Sequence, residues 1–183
     1  MSTWTIDPVH SEVKFKVKHL VVATVTGNFR TFSGTVEAEK PDFSDAKISF
    51  EADVASVTTH NEQRDGHLQS ADFFEAAAHP KMTFASKSIA SKSANEFVVT
   101  GDLSIRGISK EVKLDVEYNG TVLGFGKVPT AGFEIKGKVN RKDYGMTFNG
   151  LTEAGHIVVS EEVKIEVFAE LNQQAPVELK KAA

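Results

Sequence analysis

The chain alternates apolar and charged residues with a period of two over most of its length. In residues 11–19 Val13, Phe15 and Val17 alternate with Glu12, Lys14, Lys16 and Lys18. In 110–118 Val112, Leu114, Val116 and Tyr118 alternate with Glu111, Lys113, Asp115 and Glu117, and in 161–172 Val163, Ile165, Val167 and Ala169 alternate with Glu162, Lys164 and Glu166. Successive side chains of a strand point to opposite faces, so each segment is a strand with one oily and one charged face. When nearly every strand is built this way, the oily faces must share one interior, either a sandwich core or the lumen of a barrel.

About eight strands follow from the pattern, a number typical of small closed barrels. They fall near 11–19, 29–38, 46–54, 81–89, 96–106, 110–118, 131–140 and 161–172, with Trp4–Ile6 extending the first. Arg106-Gly107 and Asn119-Gly120 read as tight turns, and Lys92–Asn95 as a hairpin tip. The expected fold is an all-β, extended eight-stranded antiparallel barrel. It forms one domain over 1–172, followed by a polar tail over 173–183.

One segment breaks the period. Residues 58–80 read as a short helical insertion between the third and fourth strands. Thr59 with Glu62 fits a capping box, Ser70 caps a second turn, and Arg64, His67 and Leu68 share a helical face.

Composition narrows the function classes. A net charge of −4 argues against nucleic acid, whose phosphates need a basic surface. There are no cysteines, so disulfides and thiolate chemistry are absent. No signal-peptide pattern opens the sequence and no apolar run is long enough to span a membrane, so the expected location is cytoplasmic, or periplasmic if a signal was removed. Period-two alternation also marks outer-membrane barrels, but one Trp and two Tyr cannot furnish aromatic girdles.

The inward parity sets a candidate lumen wall of Phe15, Val17, Phe32, Phe50, Val54, Phe84, Val99, Leu103, Leu114, Val116, Phe133, Ile135 and Val139. Such a wall offers burial, at about 0.8 kcal/mol per methylene of a guest. Gly34, Gly101 and Gly137 share that parity and mark either bends alone or bends that also leave room for a ligand. His19 continues the parity of Val17 and is either a core histidine or a polar fixture near the mouth. In the insertion, Arg64 and His67, flanked by Leu68, Phe73 and Phe74, fit either a structural network or a lid presented to a polar or phosphate head group. A catalytic alternative pairs His67 with Asp65, but no nucleophile motif stands nearby. His60 and His67 make a weak metal spacing without a third ligand. No catalytic residue, metal or cofactor is assigned.

Several blocks, in this order, resemble the YceI family of lipocalin-like polyisoprenoid-binding proteins: WTIDPVHSEVKFKVKH at 4–19, GNFRTFSG at 27–34, RDGHLQSADFF at 64–74, HPKMTF at 79–84, GDLSIRGISKEVKL at 101–114 and NRKDYGM at 140–146. The resemblance covers about residues 3–171. It implies an extended antiparallel barrel that binds a long isoprenoid or similar amphiphile, of quinone or polyprenyl phosphate type, non-covalently and without catalysis. The family's RD-x-HL is matched by Arg64, Asp65, His67 and Leu68. Many members carry a signal peptide, which this sequence does not show. Homodimerisation is left open.

Overall fold

The structure, a computed structural model, describes residues 1–155 and 158–175. Its strands are β1 (Ser2–Ile6), β2 (Glu12–His19), β3 (Ala23–Phe29), β4 (Phe32–Ala38), β5 (Lys47–Asp53), β6 (Val57–Thr58), β7 (Lys81–Ser91), β8 (Glu96–Ile105), β9 (Ile108–Leu123), β10 (Pro129–Asn140) and β11 (Glu162–Gln173), with helix α1 at Glu62–Gln69. The order β1-β4-β5-β7-β8-β9-β10-β11 closes on itself through β1–β11, and every pairing is antiparallel. The barrel therefore has eight staves, the number counted from the alternating segments of the sequence.

The first three staves are each broken in two. Strand β10 occupies one edge of β11, so β1 and β2 lie in series along the other, from Trp4↔Gln173 to Lys16↔Lys164. Between them the chain loops out, and the freed backbone of Glu170 is satisfied from the loop. Its carbonyl accepts from the Asp7 N–H (2.8 Å) and its N–H donates to Ser11 Oγ (2.9 Å). In the same way β3 continues into β4, and β5 into β6 through a 3-10 turn at Val54–Ser56. Ser56 Oγ stitches these two breaks together, accepting from the N–H groups of Arg30 and Thr31 (both 3.1 Å) and donating to the Asp53 carbonyl (2.6 Å). Trp4–Ile6 thus extends the first stave, across a loop. The strand from Ala23 begins well before the expected 29.

Two local expectations are corrected. Asn119-Gly120 is no turn: β9 runs through it, and the register slips from Gly132↔Gly120 to Phe133↔Tyr118, leaving Asn119 unpaired in a bulge with Gly120 at φ 108°. The turn lies farther on, after Leu123. Helix α1 is capped by Asn61, which accepts from the Arg64 N–H, not by Thr59. Arg106-Gly107 does turn the chain, with both residues at positive φ, as a type I′ hairpin requires. Ser70 ends α1 and its Oγ accepts from the Asp72 N–H, opening the next turn. The insertion lies between the third and fourth staves, as expected. Residues 176–183 of the expected tail lie outside the described residues, and Gln173 still pairs with Trp4.

The two ends differ. At one end the β4–β5 connection folds over the barrel and drops Phe43 into it. The Phe43 ring lies 5.1 Å from Trp4, 5.1 Å from Phe133 and 5.4 Å from Tyr118. At the other end stand α1, the turn after it, and the segment joining β10 to β11. The wall is also uneven. The β9–β10 ladder stops at Lys136↔Asp115 although both strands run on, and Val139 and Tyr144 line the gap that opens between them.

Candidate functional site

A cavity of about 620 Å³ runs inside the barrel, within the size range of small-molecule sites. Strand β2 contributes Phe15, Val17 and His19, and the second and third staves contribute Gly34 and Phe50. Strands β7 and β8 supply Phe84, Val99 and Leu103, β9 supplies Leu114 and Val116, and β10 supplies Phe133, Ile135 and Val139. The insertion adds Arg64, His67, Leu68, Phe73 and Phe74. Phe43 forms the floor.

Four expected wall residues do not reach the cavity. Phe32 starts β4 just after the stave break and packs against Phe50, with ring centroids 6.2 Å apart. Val54 leaves the strand parity in the 3-10 turn and is a core filler, 1% exposed. Gly101 and Gly137 face inward but are covered. A Cβ on Gly101 would lie 2.5 Å from Phe84 Cζ, and one on Gly137 would lie 2.5 Å from Leu114 Cδ2. These glycines make room for a neighbouring strand's side chain. Only Gly34 borders the open space.

The parity missed the floor and much of the mouth. Phe43 is in a loop, and Arg141, Met146, Phe148, Val158 and Val159 come from the segment joining β10 to β11. No period marks them. Val163, Ile165 and Val167 of β11 also line the cavity, and their own alternation was the signal for them.

At the mouth, the insertion is held by polar contacts on both sides. The Thr59 hydroxyl donates to Asp65 Oδ1 (2.6 Å) and accepts from Arg64 Nε (2.7 Å), while Arg64 Nη2 donates to the Thr59 carbonyl (3.0 Å). Partial burial pushes the Asp65 carboxyl up. Hydrogen bonds from the Thr59 hydroxyl and N–H and from Thr58, with the nearby Arg64 charge, outweigh this and hold it below the usual carboxylate range. On the far side Arg106 donates to Glu75 Oε2 (2.9 Å) and to the Gly145 carbonyl (2.7 Å).

His67 is half-exposed. Its ring stands edge-on to Phe73 (5.0 Å) and Phe148 (4.9 Å), and Nε2 meets Asp72 Oδ2 at 2.8 Å. The carboxylate partner is therefore Asp72, not Asp65, and Asp72 is its sole hydrogen-bond partner among the described residues. Among the described residues no serine, threonine or lysine side chain hydrogen-bonds the imidazole ring.

Arg141 is 2% exposed. Nε donates to the Ser160 carbonyl (2.9 Å), Nη1 to the Met146 carbonyl (2.6 Å), and Nη2 to Asn149 Oδ1 (2.9 Å) and the Val159 carbonyl (3.3 Å). Burial pushes its pKa down, and Glu161 only partly restores it. Beside it in sequence, Tyr144 is 1% exposed, its hydroxyl has no partner among the described residues, and burial followed by the Asp143 charge pushes its pKa up to about 12.

Among the described residues, the one His/Asp/Glu cluster close enough to share an ion is Asp7, His10 and Glu170, at the break in the first stave. His60 and His67 do not form one. His10 Nδ1 lies 2.9 Å from Asp7 Oδ2 and 3.7 Å from Glu170 Oε1. The hydrogen bond between His10 and Asp7 raises the histidine and lowers the carboxylate, so the trio is accounted for as an ion pair pinning the loop.

A closed antiparallel barrel with a long apolar lumen, plugged at one end and topped by a helical insertion at the other, is an extended lipocalin-like barrel. The chain belongs to the YceI family, whose YceI-like domain matches residues 4–171. A UPF0312 protein of Staphylococcus aureus is 38% identical over 177 residues, covering 94% of this chain and 98% of its own. Among solved structures, the Campylobacter jejuni YceI protein is similar at 32% identity and a TM-score of 0.74, over 86% of this chain and 90% of that one. Burkholderia cenocepacia BcnA shares the fold at 23% identity and a TM-score of 0.79, over 90% and 98%. So does a polyisoprenoid binding domain from Saccharophagus degradans, at 16% identity and 0.64, over 93% and 98%. Among the described residues no helix is long and apolar enough to cross a membrane.

Proposed function

We propose that the barrel binds a long-chain amphiphilic lipid of isoprenoid type, such as one with a quinone or polyprenyl phosphate head, and sequesters its tail in the lumen. The observation that carries this reading is the cavity of about 620 Å³, walled by apolar side chains from nearly every stave and stopped by Phe43. A wall of this kind recognises little except length and oiliness. About 20 buried methylenes would contribute roughly 16 kcal/mol, against an association cost of about 4–15 kcal/mol. A long tail therefore binds without any hydrogen bond, and a short one does not. The polyisoprenoid-binding description of the Saccharophagus degradans domain, which has the same fold, points the same way.

A binding protein rather than an enzyme is what the family and the geometry support. His67 is paired to exposed Asp72 and braced by two phenylalanines, which suits a lid better than a general base. The test is mass spectrometry of an organic extract of the purified protein against a control protein from the same host. The expected result is one enriched long-chain amphiphile, together with saturable uptake of added long-tailed quinone or polyprenyl phosphate. No enrichment and no uptake would overturn the reading. His67→Ala should retain binding at reduced affinity.

A further inference from the structure

We propose that the head group of the bound lipid is an anion and that Arg141 is its principal seat. This rests on the reading of the barrel as a lipid binder and names the charge class of the lipid. The titratable side chains among the described cavity-lining residues are Lys14, His19, Arg64, His67 and Arg141, and no described aspartate or glutamate is among the lining residues. That bias runs against the chain as a whole, which has 25 acidic residues and 21 lysines and arginines. The Lys14 ammonium leaves the lumen for Glu12 and the Phe168 ring. The four that remain all belong to the mouth.

Three of the four are tied together there. The Val159 carbonyl accepts from Arg141 Nη2, and Val159 forms a β-bridge with His19. Met146 and Asn149, which also hold the guanidinium, flank Phe148, and the Phe148 ring contacts His67. Arg64 precedes His67 by one helical turn on the same face of α1.

Arg141 stands out within this group. Its four hydrogen bonds all end on neutral acceptors, and no described ion pair includes it. Glu161, whose charge acts on it, is itself held by Lys142 at 2.5 Å. A guanidinium has five N–H donors, so one hydrogen on Nη1 has no acceptor among the described residues. Carbonyl dipoles orient such a cation without neutralising it, and a buried charge without a counter-charge is costly. A phosphate or carboxylate at the end of an apolar tail supplies both the missing acceptor and the missing charge. A quinone carbonyl or an alcohol supplies only the acceptor.

The experiment uses the full chain, stripped of lipid, with two probes of identical tail: geranylgeranyl phosphate and geranylgeraniol. The phosphate is expected to bind about 10- to 100-fold more tightly, the span of a charge-assisted contact. Equal affinities would overturn the anionic head while leaving the barrel a lipid binder. Binding of neither probe would overturn the lipid reading itself. The chain has four arginines, so their 15N side-chain signals are few enough to follow in the unmutated protein. The Arg141 Nε–H signal should move with the phosphate and not with the alcohol. Movement of Arg64 alone would remove Arg141 as the seat. Arg141→Gln, where it folds, should abolish the selectivity, and persistence of the selectivity would overturn the assignment. Where it does not fold, the arginine signals decide.

Discussion

Gly137→Ala tests how the wall is built. The new Cβ would lie 2.5 Å from Leu114 Cδ2 and 3.6 Å from the Lys113 carbonyl oxygen. Carbon atoms pack best at about 3.5–4.0 Å, so the leucine tip must swing by about 1 Å or more, and the space available to it is the lumen. Backbone conformation is no obstacle, since Gly137 is not among the positive-φ residues. Alanine in place of glycine in a strand contributes about 0.5–1 kcal/mol. Overpacking costs about 1–3 kcal/mol. The single substitution should therefore destabilise by about 1 kcal/mol. Leu114→Ala alone should cost about 2 kcal/mol, at the low end for a leucine that is only partly buried. In that background Gly137→Ala meets no methyl and should stabilise by about 0.5–1 kcal/mol. The sign change amounts to a coupling of about 2 kcal/mol.

Urea unfolding followed by the fluorescence of Trp4, the single tryptophan, measures all four corners of this cycle. Additivity to within about 0.5 kcal/mol would refute the claim that Leu114 occupies the space over Gly137. Gly101→Ala is the contrasting case. Its Cβ would meet the Ala85 backbone carbonyl at 2.4 Å as well as the Phe84 ring, so trimming Phe84 should give no rescue. Gly137→Ala should also narrow the lumen, with lipid uptake falling more than stability does.

Phe43→Ala removes the floor and three ring contacts at once. It should cost about 3–5 kcal/mol, red-shift Trp4 emission and speed lipid release, and unchanged release would mean that the floor does not retain the tail. Asp65→Asn should destabilise by about 1–2 kcal/mol at neutral pH. A carboxylate whose folded pKa is depressed contributes above its ordinary value of 3.8 and loses that contribution as pH falls through the lower folded value, so the gap between parent and variant should narrow below pH 3.8. A gap that widens on acidification would contradict the Thr59 network. Tyr144→Phe deletes a buried hydroxyl with no partner among the described residues and should raise stability by about 1 kcal/mol in urea unfolding, whereas a loss of stability would show that the hydroxyl is paired.

The staves were readable because their outward faces are charged and their inward faces oily, a contrast that survives in Glu162–Gln173 and Lys110–Tyr118. It fails in β3 for an identifiable reason. The inward positions there are Val25, Gly27 and Phe29. The place over Gly27 is filled by Phe15 from β2, whose Cζ would lie 2.2 Å from an added Cβ. The apolar surface that marks this part of β3 thus belongs to its neighbour, and the period fades. Gly101 and Gly137 work by the same device with Phe84 and Leu114. Inward parity alone cannot separate a glycine that opens a cavity from one that accepts a ring, because the deciding atom comes from the adjacent strand. Asn119-Gly120 misleads in a related way, since a tight turn and a bulge make the same local demand for a glycine at positive φ.

The mouth obeys different physics. Arg64 and His67 were readable because a helical insertion interrupts a strand period. Arg141 was not, because NRKDYGM reads as a polar surface turn. What buries Arg141 is its set of acceptors at 146, 149, 159 and 160, contributed by a connection that folds back over the barrel rim. A cation kept in such a place needs each partner positioned, and neutral carbonyls position it without cancelling its charge. The outward charges are treated differently. Lys81 is held between Glu51 and Asp53, and Lys87 between Asp102 and Glu111, so the charged faces neutralise one another across neighbouring strands. An acidic chain thereby keeps, at the mouth of its lumen, an arginine that forms no ion pair among the described residues, and the proposed guest, an anion at the end of an apolar tail, would satisfy wall and mouth together.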